Sequence, residues 1–553
     1  MTDSDGPLST DLLFSFARSA SAEARRVAGA AQVLGLRGDP DAGLDLVWDF
    51  LASSADLTDD DLVAAAETTN LLLLWGGSVD RTTRVLDACL SRVRGPSGRG
   101  AVLLTWARSR PADFKEYCTE ALAEFAAAGD VRGQAVTLAR IATDHTMSKP
   151  AHRLRLATEA VTLAERLGDP WTVALCRGHL SIIETYQGEP GAMEHWPDTV
   201  RVVVAGADSG AAQTVAFNYT NWAFAKLGVG DHDGAGEIVA EGRSTAHGQA
   251  WAFRFAVQDA WVRVRLGDLA GAGAALPPDS TAAQSWNYRV AVRAAVAFER
   301  DRELDSGPLA AAYDRIMVWD PQVGCFAAGV LALTRHARRE PNPGREAIDA
   351  LRRVRAWPIR FGWEDALIAL AVVDPDAAAV EAAEMVDLWP DNPRGLAARA
   401  YVEGLLAGDR DRLVEAADRF AALPEPVTAG RALHAAAVVA PKSGNDLRRA
   451  AMALLERCGA DRSLAAVVRD RALARWSDHT PVPASQSRRT SAGLTARERE
   501  VALLAARGLT AAEIAETLGI TLSTARNYIL RVRTKFGGIP KRQLAKALGI
   551  DQA

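Results

Sequence analysis

From about residue 10 to residue 477, apolar positions recur in runs of helix length, with Ala, Leu, Arg and Glu dominant and alternating β-branched runs nearly absent. That spacing predicts helix after helix and no sheet. The runs are punctuated by a recurring Gly-Asp pair, at Gly38, Gly129, Gly168, Gly230, Gly267 and Gly408. In such a pair the glycine ends one helix and the aspartate caps the next. Gly129 and Gly168 are 39 residues apart and Gly230 and Gly267 are 37 apart, near the period of helical repeats that stack into solenoids. A small residue soon afterwards, Ala235 behind Gly230, lets the paired helices pack closely. A non-repetitive helical bundle is the alternative, and both readings are all-α.

The pattern breaks at DHTPVPASQSRRTSAG, residues 478–493, where Pro, Ser and Thr interrupt every helical period. The chain therefore divides into a helical body over residues 1–477, a flexible linker over 478–493 and a terminal module over 494–553. Arg488 and Arg489 of the linker are placed to touch a DNA backbone. Three helix starts in the module open on threonine. Thr495 with Glu498 and Thr510 with Glu513 form T-x-x-E capping boxes, and Thr521 opens the third helix. Gly508, Gly519 and Gly537 stop the helices, and Pro540 opens a fourth that ends at Gly549.

Within the third helix, Ala525, Ile529, Val532 and Phe536 recur at helical spacing and face a core completed by Val501, Leu504, Ile514 and Leu518. Ser523, Arg526, Asn527 and Leu530 are left on an outward face. Two short helices around a tight glycine turn, the second carrying Arg and Asn, is how a helix-turn-helix offers a reading helix to a major groove. Arg bonds guanine bidentately and Asn bonds adenine, so Arg526 and Asn527, with Leu530 on the same face, are the expected base readers. Thr510, Ser523, Thr524, Arg531, Arg533 and Lys535 are expected to hold phosphates, which fix register without reading sequence. For any single arginine, a solvated surface charge is the alternative.

Charge supports this division. Residues 494–549 carry seven Arg and three Lys against four Glu, a net of +6, whereas the whole chain is formally -5 and the remainder therefore -11. A basic end on an acidic body is the asymmetry expected when one domain alone meets a polyanion.

These residues resemble the LuxR-type DNA-binding domain. The matching strings are Leu494-Thr495-x-Arg497-Glu498-x-Glu500-Val501, Gly508-Leu509-Thr510, Glu513-Ile514-Ala515, Leu518-Gly519-Ile520 and Thr524-Ala525-Arg526-Asn527-Tyr528, over about a tenth of the chain. Leu522 and Leu530 depart from the family pattern, which often has Glu at the first position and a basic or polar residue at the second. The resemblance implies a four-helix module on double-stranded DNA, with the fourth helix pairing two copies; read from the residues, its Leu544 and Leu548 stripe closes the four-helix core or pairs two modules. It further implies a homodimer or higher homo-oligomer, contact with RNA polymerase and an activator. The promoter-reading region of a sigma factor shares the helix-turn-helix style, but no upstream stretch offers basic and aromatic residues for melting DNA. The body resembles degenerate tetratricopeptide repeats, best in NWAFAKLGVGDHDGAGEIVAEG from Asn221.

Several classes are not expected. The acidic N-terminus lacks an apolar core for a signal peptide, and the longest apolar runs are far short of the roughly 20 residues a bilayer requires. Five dispersed cysteines without C-x-x-C and nine dispersed histidines without H-E-x-x-H predict no metal site and no disulfide framework. No phosphate-cradling G-x-x-x-x-G-K-[ST] string occurs. GPSGRGA at Gly95 reads as an inter-helix loop, and Asp59-Asp60-Asp61 as a solvated helix start. The expectation is a cytoplasmic, nucleoid-associated regulator without cofactor or enzymatic activity. Ten of the chain's 35 aromatic residues fall between 217 and 288. Trp222, Trp251, Phe255, Trp261, Trp286 and Tyr288 are the expected surface for an unknown small-molecule or peptide effector, with filling of inter-helix gaps as the alternative. A scaffold whose terminal module docks protein is the rival reading of the whole chain.

Overall fold

The computed structural model describes residues 16–477 apart from 18, 38, 75–76, 110–112, 144–148, 190, 206–211, 246–248, 278–286, 303–306, 358, 360, 386–389 and 441–443, together with 496–506 and 509–535. All regular structure among these residues is helical, and no described helix is long and apolar enough to cross a membrane. The chain forms two compact units. One comprises Met1–Ala432 with Leu454–Asp461, the other Leu433–Ala453 with Arg462–Ala553.

The first unit is a run of helix pairs. Pairs open at Ala22, Asp59, Pro96, Val131, Pro170, Ala212, Gln249, Asn287 and Pro321, at intervals of 34 to 42 residues. The Gly-Asp element builds many of the turns. Gly129, Gly168, Gly230, Gly267 and Gly408 all adopt positive φ, between 61° and 84°, where a residue without Cβ escapes the clash that others meet. The aspartates then cap the next helix: Asp169 accepts from the Thr172 N–H, Asp268 from Gly271, and Asp409 from Asp411 and Arg412. Asp39 does the same for Ala42, while its glycine, Gly38, lies outside the described residues. Other turns lack the motif. Ser21 and Ser78 cap by hydroxyl, and Asp320 and Asn392 cap helices that begin with proline.

Helices distant in sequence also meet. Tyr186 stacks on Phe361 with ring centroids 5.0 Å apart, and the His232 Nε2 lies 3.0 Å from a Glu425 carboxylate oxygen. The helix Pro321–Arg338 is buried on every side from Pro321 to Ala332, so its neighbours pack around its whole circumference. Trp261 meets Phe326 of that helix at 5.0 Å. This packing corrects part of the expected effector surface. Phe255 is 0% and Trp261 3% exposed, so both rings fill space between helices. Trp222 and Tyr288 are half-buried, and the side chains of Trp251 and Trp286 lie outside the described residues.

Two loop and surface expectations are also corrected. GPSGRGA is a helix start: the helix Pro96–Ser109 begins inside it, and Gly100 lies against the Phe125 ring, where a Cβ would approach to 3.0 Å. Asp59–Asp61 do open the helix Asp59–Leu74, but their carboxylates tie segments together rather than facing only water. Asp61, 3% exposed, accepts from the Ser21 N–H at 2.7 Å, Asp60 from Ser19 at 2.8 Å, and Asp59 from Arg94 and Gly95.

Candidate nucleic-acid interface

Three described helices form the terminal module: Ala496–Ala506, Ala511–Leu518 and Leu522–Lys535. Their shared core contains Val501, Leu504, Ile514, Leu518, Ala525 and Val532, with Leu509, Ile520, Tyr528 and Ile529 packed around it. Ala525 and Val532 are completely buried and sit two turns apart, so one stripe of the third helix is anchored and the opposite stripe is turned outward. Phe536 and the fourth helix lie outside the described residues, as do Thr495, Gly508 and Gly537.

The second helix starts on the capping box read from sequence. The Thr510 hydroxyl accepts from the Glu513 N–H at 3.3 Å, and the Glu513 carboxylate accepts from the Thr510 N–H at 2.6 Å. It ends at Gly519, with φ 59° and ψ 40°. The Ile520 N–H reaches back to the Ala515 carbonyl at 2.9 Å, closing the left-handed turn typical of a helix end. Thr521 opens the third helix, accepting from the Thr524 N–H at 3.1 Å, with the two hydroxyls 2.8 Å apart. The angle between the two helices therefore rests on three residues, Gly519 to Thr521.

A further residue fixes this turn and was not singled out from the sequence. Arg497, on the first helix, donates to the Leu518 carbonyl at 2.7 Å and to the Glu500 carboxylate at 2.6 Å. It binds the last turn of the second helix to the first. The signal was present in the Leu-Thr-x-Arg-Glu string, but nothing in the spacing says which carbonyl an arginine will reach.

Arg526 and Asn527 are exposed, on the stripe opposite Ala525. Thr510 and Arg531 are exposed too, at the start of the second helix and further along the third. Thr524 is half-buried and already engaged with Thr521. The backbone of Ser523, Leu530, Arg533 and Lys535 belongs to the third helix, and their side chains lie outside the described residues. An outward guanidinium and carboxamide on adjacent residues, near the start of a helix held from behind by its core, suit groove readout. No curated protein matches the chain. Residues 492–547 match the model of a family described as bacterial regulatory proteins, luxR family, and the C-terminal end of this chain is accordingly a LuxR-family helix-turn-helix domain, the DNA-binding part of a transcription regulator.

Proposed function

We propose that the protein is a sequence-specific transcription activator in which residues 494–553 read DNA, 478–493 tether them, and the helical body over 1–477 binds an effector and assembles protomers. The observation that carries this reading is the exposed Arg526 and Asn527 pair on a helix anchored from its other side by the buried Ala525 and Val532, within a segment that matches a DNA-binding family. Arg526 and Asn527, with Leu530, read base edges. Thr510, Ser523, Thr524, Arg531, Arg533 and Lys535 hold phosphates. Two heads on paired protomers engage half-sites about one helical turn apart, and the bound protein meets RNA polymerase in the cytoplasm. In the body, the half-buried Trp222 and Tyr288 keep accessible surface for an effector.

The test is selection of genomic fragments by the purified full-length protein near physiological salt, with Arg526→Ala in parallel. A shared motif enriched by the wild type and lost by the variant is the expected result. Affinity for that motif should fall with rising salt, with a log-log slope of about -0.9 per neutralised phosphate. Binding that is insensitive to salt and to Arg526→Ala would instead mean that the module docks protein.

A further inference from the structure

The third helix of the module begins with a leucine that takes no part in the core. Leu522 is 40% exposed. Of the module's other large aliphatic side chains with described burial, Val501, Leu504, Ile514, Leu518 and Val532 are buried, Leu509, Ile520 and Ile529 pack against them, and Leu503 is half-buried. Leu522 follows the capping Thr521 directly, so it occupies the first turn, the part of a reading helix that enters a groove deepest. Helical spacing makes Ala525 and Arg526, three and four residues on, its neighbours one turn later.

A leucine at that place has no hydrogen bond to give or accept. The one apolar feature on the floor of the major groove is the 5-methyl group of thymine; every other major-groove edge presents donors and acceptors. We infer that Leu522 is a specificity-determining residue that selects a thymine in each half-site, by packing on its methyl group beside the base read by Arg526. This rests on the proposal that the module reads DNA. It adds an apolar contact to the polar ones, and it makes the sequence preference depend on a residue that carries no charge.

The inference is tested by removing the methyl group alone. Full-length protein first selects sites from random duplexes. Each thymine of the selected site is then replaced singly by deoxyuridine, and Kd is measured for the wild type and for Leu522→Ala. One replacement per half-site should weaken wild-type binding about four-fold, the factor that burying one methyl-sized group carries. The same replacement should leave Leu522→Ala unchanged, and sites selected by that variant should lose the thymine at this position. Tolerance of deoxyuridine at every position by the wild type would overturn the inference, as would an undiminished effect in Leu522→Ala. Failure to select any site would remove the DNA-reading proposal itself, a different and distinguishable result.

Discussion

Gly519 shows how much one residue decides in the terminal module. Its φ of 59° is a conformation that side chains resist, while a Cβ built there meets nothing within 4 Å. The glycine is thus required by backbone geometry and not by space. Gly519→Ala should lower the module's stability by about 1 kcal/mol, the cost of holding a non-glycine residue left-handed, seen as a lower midpoint in urea unfolding. An unchanged midpoint would mean that the turn relaxes without strain. The reading residues make the opposite case, since Arg526 and Asn527 are exposed and support nothing behind them. Arg526→Ala and Asn527→Ala should each weaken binding to the selected site by about 1–3 kcal/mol while leaving unfolding unchanged. Arg531→Ala should weaken all sequences alike, as loss of a phosphate contact does. Anisotropy titrations on selected and scrambled duplexes separate the two behaviours.

At the scale of elements, the sequence spoke most clearly where one local rule fixes the backbone. Gly129, Gly168, Gly230, Gly267 and Gly408 are all left-handed helix ends, as the Gly-Asp element implied, because only glycine sits there without strain. The Thr510–Glu513 box and the buried stripe of the third helix were legible for the same reason. What the sequence hid depends on partners far along the chain. Phe255 and Trp261 look like a binding face from composition, and only packing by neighbouring helices makes them interior. The aspartates at 59–61 look solvated until the N–H groups that reach them from Ser19, Ser21, Arg94 and Gly95 are in place. GPSGRGA has a loop's composition, yet Gly98 and Gly100 are small because helix neighbours press on them. A local rule gives a local prediction: Asp409→Ala removes the acceptor for the Asp411 and Arg412 N–H groups and should cost about 1 kcal/mol of the body's stability. Asp409→Asn, which keeps an acceptor, should restore most of it in the same urea titration.

At the largest scale, the helical unit is tied internally by a buried set of charges from five separate stretches of chain. Arg394, 2% exposed, donates to Glu425 at 2.6 Å and to Asp365 at 2.7 Å. Arg265 pairs with Asp365 from the other side, and His232 reaches Glu425. Glu364, 0% exposed, accepts from the Gly362 N–H at 2.9 Å and from the Asn392 amide, with an Arg394 guanidinium nitrogen 3.6 Å away. Three carboxyls thus share two guanidinium groups and one imidazole. Against the pull of burial, Arg394 holds Glu425, and Arg265 with Arg394 holds Asp365, below the usual carboxylate range, whereas burial prevails at Glu364 and pushes it up to about 7. The two behaviours have opposite signs in the stability of the fold. Glu425 and Asp365 stabilise above the ordinary carboxylate range, and that contribution is lost as pH falls through it. Glu364 binds its proton more tightly in the folded protein than in the unfolded chain, so its contribution is present at low pH and is lost as pH rises from about 4.5 to about 7. Asp320, raised by burial to about 6, adds to the same loss. The urea midpoint of the full-length protein should therefore fall between pH 5 and pH 8. Glu364→Gln, uncharged throughout, should flatten that fall and leave the variant about 1–3 kcal/mol more stable than the wild type at pH 8, relative to their difference at pH 5. An identical pH slope in the two proteins would show that Glu364 stays ionised in the fold, and that Arg394 outweighs burial there as it does at Glu425.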